Sequence, residues 1–216
     1  MTHQNIFQEI EEDLERQKLE KLWKRYGSWV IAAAVAVVLA TGSVSAWHSW
    51  RAQQQQKTTA ALVGILDSAP SDTGKQVTAL ESFTQKNQGT TQAVFAQLHA
   101  AGLAAQQGDE KKAIALYDAI ANDTKADPAF RQLADLLAVR AQMDSGDPVS
   151  LQKRLQPLLA DNAPWRYAAM EDDAFLALRA GDRPKAKQIF AELAQDAGAP
   201  KSLAARAADM VRFLEE

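Results

Sequence analysis

Residues 174–190 read AFLALRAGDRPKAKQIF, two apolar helical runs joined by the dipeptide Gly181-Asp182. A glycine reaches positive φ without a Cβ penalty and so ends the first helix, while the aspartate carboxylate caps the free N–H groups that open the second. The same dipeptide stands at Gly108-Asp109 and Gly146-Asp147, at spacings of 38 and 35 residues. Seven residues before each glycine lie Ala101, Val139 and Ala174, where a small side chain lets two helices approach. Five residues after it lie Ala113, Leu151 and Ala186, and nine after it Tyr117, Leu155 and Phe190, which fill the space between hairpins. The middle copy is degenerate at the small position. Pro128, Pro164 and Pro200 follow the second helices and close each copy.

A period near 34 residues with a helix on each side of a glycine turn is the signature of tetratricopeptide repeats, whose hairpins bury one face only by stacking on their neighbours. Gly-Asp turns also occur in unrelated helical hairpins, and the matching packing positions are what favour a repeat. Composition agrees. Of 216 residues 47% are hydrophobic and 24% charged, which excludes a disordered chain, and 42 are alanine, the best helix former. The fold expected is all-α, an N-terminal membrane helix followed by a tetratricopeptide-like α-solenoid. The absence of cysteine removes disulfides, thiol nucleophiles and thiolate zinc sites. A net charge of −3 gives no global basic field for nucleic acid.

Outward toward the N-terminus, residues 29–50 read WVIAAAVAVVLATGSVSAWHSW, without an ionised side chain. About 20 apolar residues span a bilayer core of about 30 Å, and Trp29, Trp47 and Trp50 stand where an interfacial belt would place them. Arg16, Lys18, Lys21, Lys24 and Arg25 precede the run, against Arg51 and Lys57 beyond it, which orients the N-terminus to the cytoplasm. A signal peptide cleaved near Val44-Ser45-Ala46 and a buried core helix are the alternatives. Ala32, Ala36 and Ala40 recur every four residues and suit close helix packing and self-association, although an alanine-rich span contains such spacings by chance. Residues 1–28 form a cytoplasmic leader with a partly amphipathic pattern. Residues 51–90 read as a stalk and first helical pair, its second helix from about Gly74 to Asn87. Residues 91–216 hold the repeats and a capping helix from about Ser202 to Leu214.

The anchor, the stalk, the weak repeats and the run Pro164-Trp165-Arg166-Tyr167, leading through Ala174, Phe175, Leu178 and Arg179 to Ala180-Gly181-Asp182, resemble the bacterial family of the ancillary SecYEG translocon subunit over essentially the whole chain. That resemblance implies a single-pass inner-membrane protein with a periplasmic repeat domain that joins chaperone partners to the translocon. The domain type is shared with the cell-division coordinator, so an envelope scaffold in cell division or outer-membrane assembly is the alternative.

No catalytic constellation is visible, and no cofactor or metal is expected. His3, His48 and His99 are dispersed, and Glu171, Asp172 and Asp173 point about 100° apart on a helix, which reads as solvated surface. Recognition through the repeat surface remains. In such repeats the first helix of each pair lines a groove, which places Phe95, Leu98, Leu136, Arg140, Met143, Glu171, Phe175 and Arg179 along it. Arg140 and Arg179 offer bidentate donors to a carboxylate, and Phe175 with Met143 an adaptable apolar contact. Burial of these residues against the stalk helix is the competing expectation. The paired Lys and Asn of a carboxylate clamp are not present.

Overall fold

The computed structural model describes residues 43, 47–68 and 72–215. The leader, the small-residue face at Ala32, Ala36 and Ala40, and most of the expected membrane helix lie outside the described residues. Among the described residues no helix is long and apolar enough to cross a membrane.

The chain divides into two compact units, Met1–Lys57 and Thr58–Glu216. In the first, residues 47–57 are helical, and the Arg51 guanidinium lies 5.2 Å from the centre of the Trp47 ring. In the second, all described regular structure is helical. Residues 58–67 form α1, followed by α2 (Thr73–Lys86), α3 (Thr91–Gln106), α4 (Glu110–Ala121), α5 (Pro128–Ala141), α6 (Pro148–Leu155) continued by a short 3-10 turn (Gln156–Leu159), α7 (Arg166–Arg179), α8 (Arg183–Gln195) and α9 (Lys201–Glu215).

Local chemistry sets these boundaries. Asp72, Asp109, Asp127, Asp147 and Asp182 each accept a backbone N–H from the first turn of α2, α4, α5, α6 and α8, and Thr90 does the same for α3. Each such cap is worth about 1 kcal/mol. At Gly108 (φ +78°) and Gly181 (φ +81°) the chain turns left-handed, and the next N–H reaches back five residues, Asp109 to Ala104 and Asp182 to Ala177. These are the hydrogen bonds of a glycine-terminated helix.

Gly146 corrects the expectation that all three glycines supply positive φ, because it does not adopt that conformation. The connection there is longer, residues 142–147 against three residues in the other two hairpins. What position 146 requires is space: a Cβ would lie 2.9 Å from Leu151 Cδ1 and 3.0 Å from the Gln142 carbonyl oxygen.

The core is partitioned. Leu62 of α1, Val77, Leu80 and Phe83 of α2, and Ala96 and Ala100 of α3 form one cluster. The next joins α3, α4 and α5 through Ala101, Tyr117, Ile120 and Ala134; the third joins α5, α6 and α7 through Leu136, Leu155 and Leu176; the last joins α7, α8 and α9 through Ala174, Phe190 and Leu214. Each cluster thus spans a hairpin and the first helix of the next. The helices α3, α5 and α7 each serve two clusters from two faces. All nine packing positions read from the Gly-Asp register are buried. The stalk segment α1 is therefore the first helix of an additional hairpin with α2.

Candidate functional site

The first helices α1, α3, α5 and α7, with α9 after them, are tied in succession. Gln92 Nε2 donates to Thr59 Oγ1 at 3.1 Å between α3 and α1, and the Phe95 and Phe130 rings meet edge to face at 5.1 Å between α3 and α5. Arg140 Nε donates to Asp172 Oδ2 at 2.8 Å between α5 and α7, and Arg206 donates through Nε and Nη2 to the two oxygens of Glu171 between α9 and α7.

At the α1–α3 end this row opens into a cleft of 400 Å³ whose exposed lining is mostly apolar, from Leu62, Leu66 and Phe95, with Thr59, Thr91, Gln92 and His99 also lining it. Phe95 is 49% exposed, a large ring left to solvent beside a concavity. No Asp, Glu, Lys or Arg lines the cleft.

The expected groove residues divide into three groups. Phe95 lines the cleft and Phe175 is exposed, its ring 5.3 Å from that of Phe190. Leu136 is 1% exposed and belongs to the third core cluster, against which Met143 packs, while Leu98 packs against the second. Helix phase is the reason: α5 serves two cores, so its apolar residues are drawn inward on both sides. The two arginines already hold partners. Arg140 pairs with Asp172, and Arg179 donates to the Met143 and Gly146 carbonyl oxygens, closing the long α5–α6 connection. Glu171 is engaged by Arg206.

Asp172 and Asp173 correct the reading of a solvated acidic face, being 5% and 4% exposed. Their divergence is as the helix geometry requires: Asp172 faces Arg140, and Asp173 faces Lys185 Nζ at 3.9 Å. Burial raises the pKa of both, opposed at Asp172 by the Arg140 hydrogen bond and at Asp173 by the Lys185 charge. Among the described residues no group of acidic or histidine side chains is arranged to hold a metal ion.

The run Pro164-Trp165-Arg166-Tyr167 has a structural task that sequence reading did not identify. Trp165 Nε1 donates to the Ala129 carbonyl at 2.8 Å, Arg166 Nη1 to Asp196 Oδ2 at 2.9 Å, and the Tyr167 hydroxyl to Asp196 Oδ1 at 3.2 Å. These bonds fasten the start of α7 to the start of α5 and the end of α8.

Residues 20–211 match a family model described as a tetratricopeptide repeat-like domain. The ancillary SecYEG translocon subunit of Haemophilus influenzae is 28% identical over 195 residues, covering 88% of this chain and 91% of the relative. No solved structure matches the chain.

Proposed function

The chain belongs to the tetratricopeptide repeat-like domain family, and from that membership we propose that it is a non-catalytic protein-interaction module that serves the Sec translocon and its periplasmic chaperones. In this reading residues 29–50 cross the inner membrane once, residues 1–28 are cytoplasmic and the repeats are periplasmic. The observation that carries it is the end-to-end relation to a protein named as an ancillary SecYEG translocon subunit. The sequence supports the topology through its uncharged run and the flanking lysines and arginines.

An anchored module works by effective concentration, so modest contacts suffice once the anchor holds it near its partner. The apolar cleft at Leu62, Leu66 and Phe95 supplies such a contact. Arg140 and Arg179 are poorer probes of binding, because each already supports an internal bond.

The test is quantitative mass spectrometry of what co-purifies with the tagged full-length protein in mild detergent, beside a variant with a scrambled membrane helix and beside Phe95→Asp. Translocon subunits and periplasmic chaperones should be enriched, with the chaperones lost on Phe95→Asp and the translocon lost on scrambling. Enrichment of division or outer-membrane assembly proteins instead would reject the translocon reading in favour of an envelope scaffold. Ile at positions 36 and 40 should abolish self-association if Ala36 and Ala40 form a packing face.

A further inference from the structure

The second helices differ in how firmly they hold the first. α6 has 8 residues, against 14 in α2, 12 in α4 and 13 in α8, and it packs far less closely on α5 than α4 does on α3 or α8 on α7. Side-chain size is the cause. Ala101 and Ala104 of α3 share a core with Ala113 of α4, and Ala174 and Ala177 of α7 with Ala186 of α8. Between α5 and α6 the corresponding side chains are Val139, Leu151 and Leu155. Helix axes approach to about 8–10 Å according to the side chains at their contact, so valine and leucine hold α5 and α6 apart where alanine lets the other pairs close. The small residues of α5, Ala134 and Ala138, belong instead to the second cluster with α3 and α4.

Arginines bridge this wider junction. Arg140 of α5 donates to Asp172 of α7, Arg154 of α6 to Asp118 of α4 and Asp135 of α5, and Arg179 of α7 to two carbonyls of the α5–α6 connection. Arg140 and Arg179 are exposed, so their bonds compete with water. A separate observation falls on the same helices. Among the described residues the buried side-chain polar atoms that lack a hydrogen bond are Arg131 Nε and Gln132 Oε1 on α5, and Arg166 Nε and Asp173 Oδ1 on α7. Each is desolvated without return, which narrows the gap to an arrangement that admits water.

We propose that the α5–α6 junction is a hinge about which α1–α5 and α6–α9 turn as two blocks, with residues 142–147 taking up the backbone change and the Arg140–Asp172 pair as the latch between α5 and α7. The helices α2 to α5 pack closely in succession, as do α7 to α9. α6 moves with α7, on which it and its 3-10 turn pack and to which Gln152 Nε2 is bonded through the Asp173 carbonyl. A few loop residues suffice to absorb a rotation of this kind. Phe95 lies on the first block and Phe175 on the second, so the hinge sets their separation, and a partner that touched both would select one curvature of the row of first helices. The hinge does not depend on the translocon reading.

The test is double electron–electron resonance on full-length protein in mild detergent. The chain has no cysteine, so spin labels attach only at introduced ones. Lys86→Cys with Lys111→Cys reports on the first block, Ala180→Cys with Lys201→Cys on the second, and Lys111→Cys with Lys201→Cys on the distance across the hinge. The distance distribution across the hinge should be about twofold wider than either of the others. Arg140→Met should broaden or shift it by several ångströms while leaving both within-block distributions unchanged. A distribution across the hinge as narrow as those within the blocks would overturn the proposal. So would an Arg140→Met variant with a native melting curve and an unaltered distribution, or one that broadens all three pairs alike.

Discussion

A methyl group added at Gly146 meets Leu151 and the Gln142 carbonyl, whereas at Gly108 it meets nothing within 4 Å but must be carried at φ +78°. Gly108→Ala should therefore cost about 1–2 kcal/mol through left-handed strain, and Gly108→Asn should recover most of it because asparagine tolerates that region. Gly146→Ala should cost about 1–3 kcal/mol through overpacking, and Gly146→Asn should be worse. Urea midpoints of the four variants decide this, and recovery by asparagine at both positions would refute the distinction. Two carboxylates give opposite pH signatures. Burial holds the Asp173 pKa above its unfolded value, so its ionised form weakens the fold fully above the folded pKa and not at all below the unfolded one. Asp173→Asn should raise the melting temperature at pH 7, with the gain fading as pH falls through the folded pKa. Asp196 is lowered by its Arg166 hydrogen bond, so its stabilisation is complete above the unfolded pKa and lost as pH falls through the folded one. Asp196→Asn should accordingly lower the melting temperature at pH 7 and converge with the parent protein in acid.

Helix ends were legible in sequence because capping is local: an aspartate or glycine within a few residues of a boundary carries the signal, as at Asp109, Asp182 and Gly181. The expected second helix and capping helix agree with α2 and α9 to within about one residue. Ties between elements were not legible, since Arg140 and Asp172 are 32 residues apart. Nor was the burial of Asp172 and Asp173. Three consecutive charges read as surface unless the helix is enclosed, and α7 is packed against α6, α8 and α9. The α5–α6 connection depends on Arg179, which reaches 33 residues back to its Gly146 carbonyl. Arg179→Met should speed amide exchange within residues 142–147 several-fold while leaving α3 and α4 protected; uniform acceleration would show that the arginine instead supports the whole unit.

Across the Thr58–Glu216 unit the first helices carry the connections between successive cores, and the repeat register predicted which residues would fill those cores. Stability in such an array is a sum of hairpins and their interfaces. Ending the chain at Pro200 removes Ala207 and Leu214 from the last cluster and uncovers the Phe190 side. Hydrogen exchange should then accelerate across α7 and α8 and remain slow in α2 to α4; loss of protection throughout would mean that the unit is a single cooperative block. Four cores linked in series also have a mechanical meaning. Under tension applied at its two ends, the unit should lengthen in steps as one cluster after another yields, each at modest force. A strand of hairpins held in this way behaves as an extensible spring.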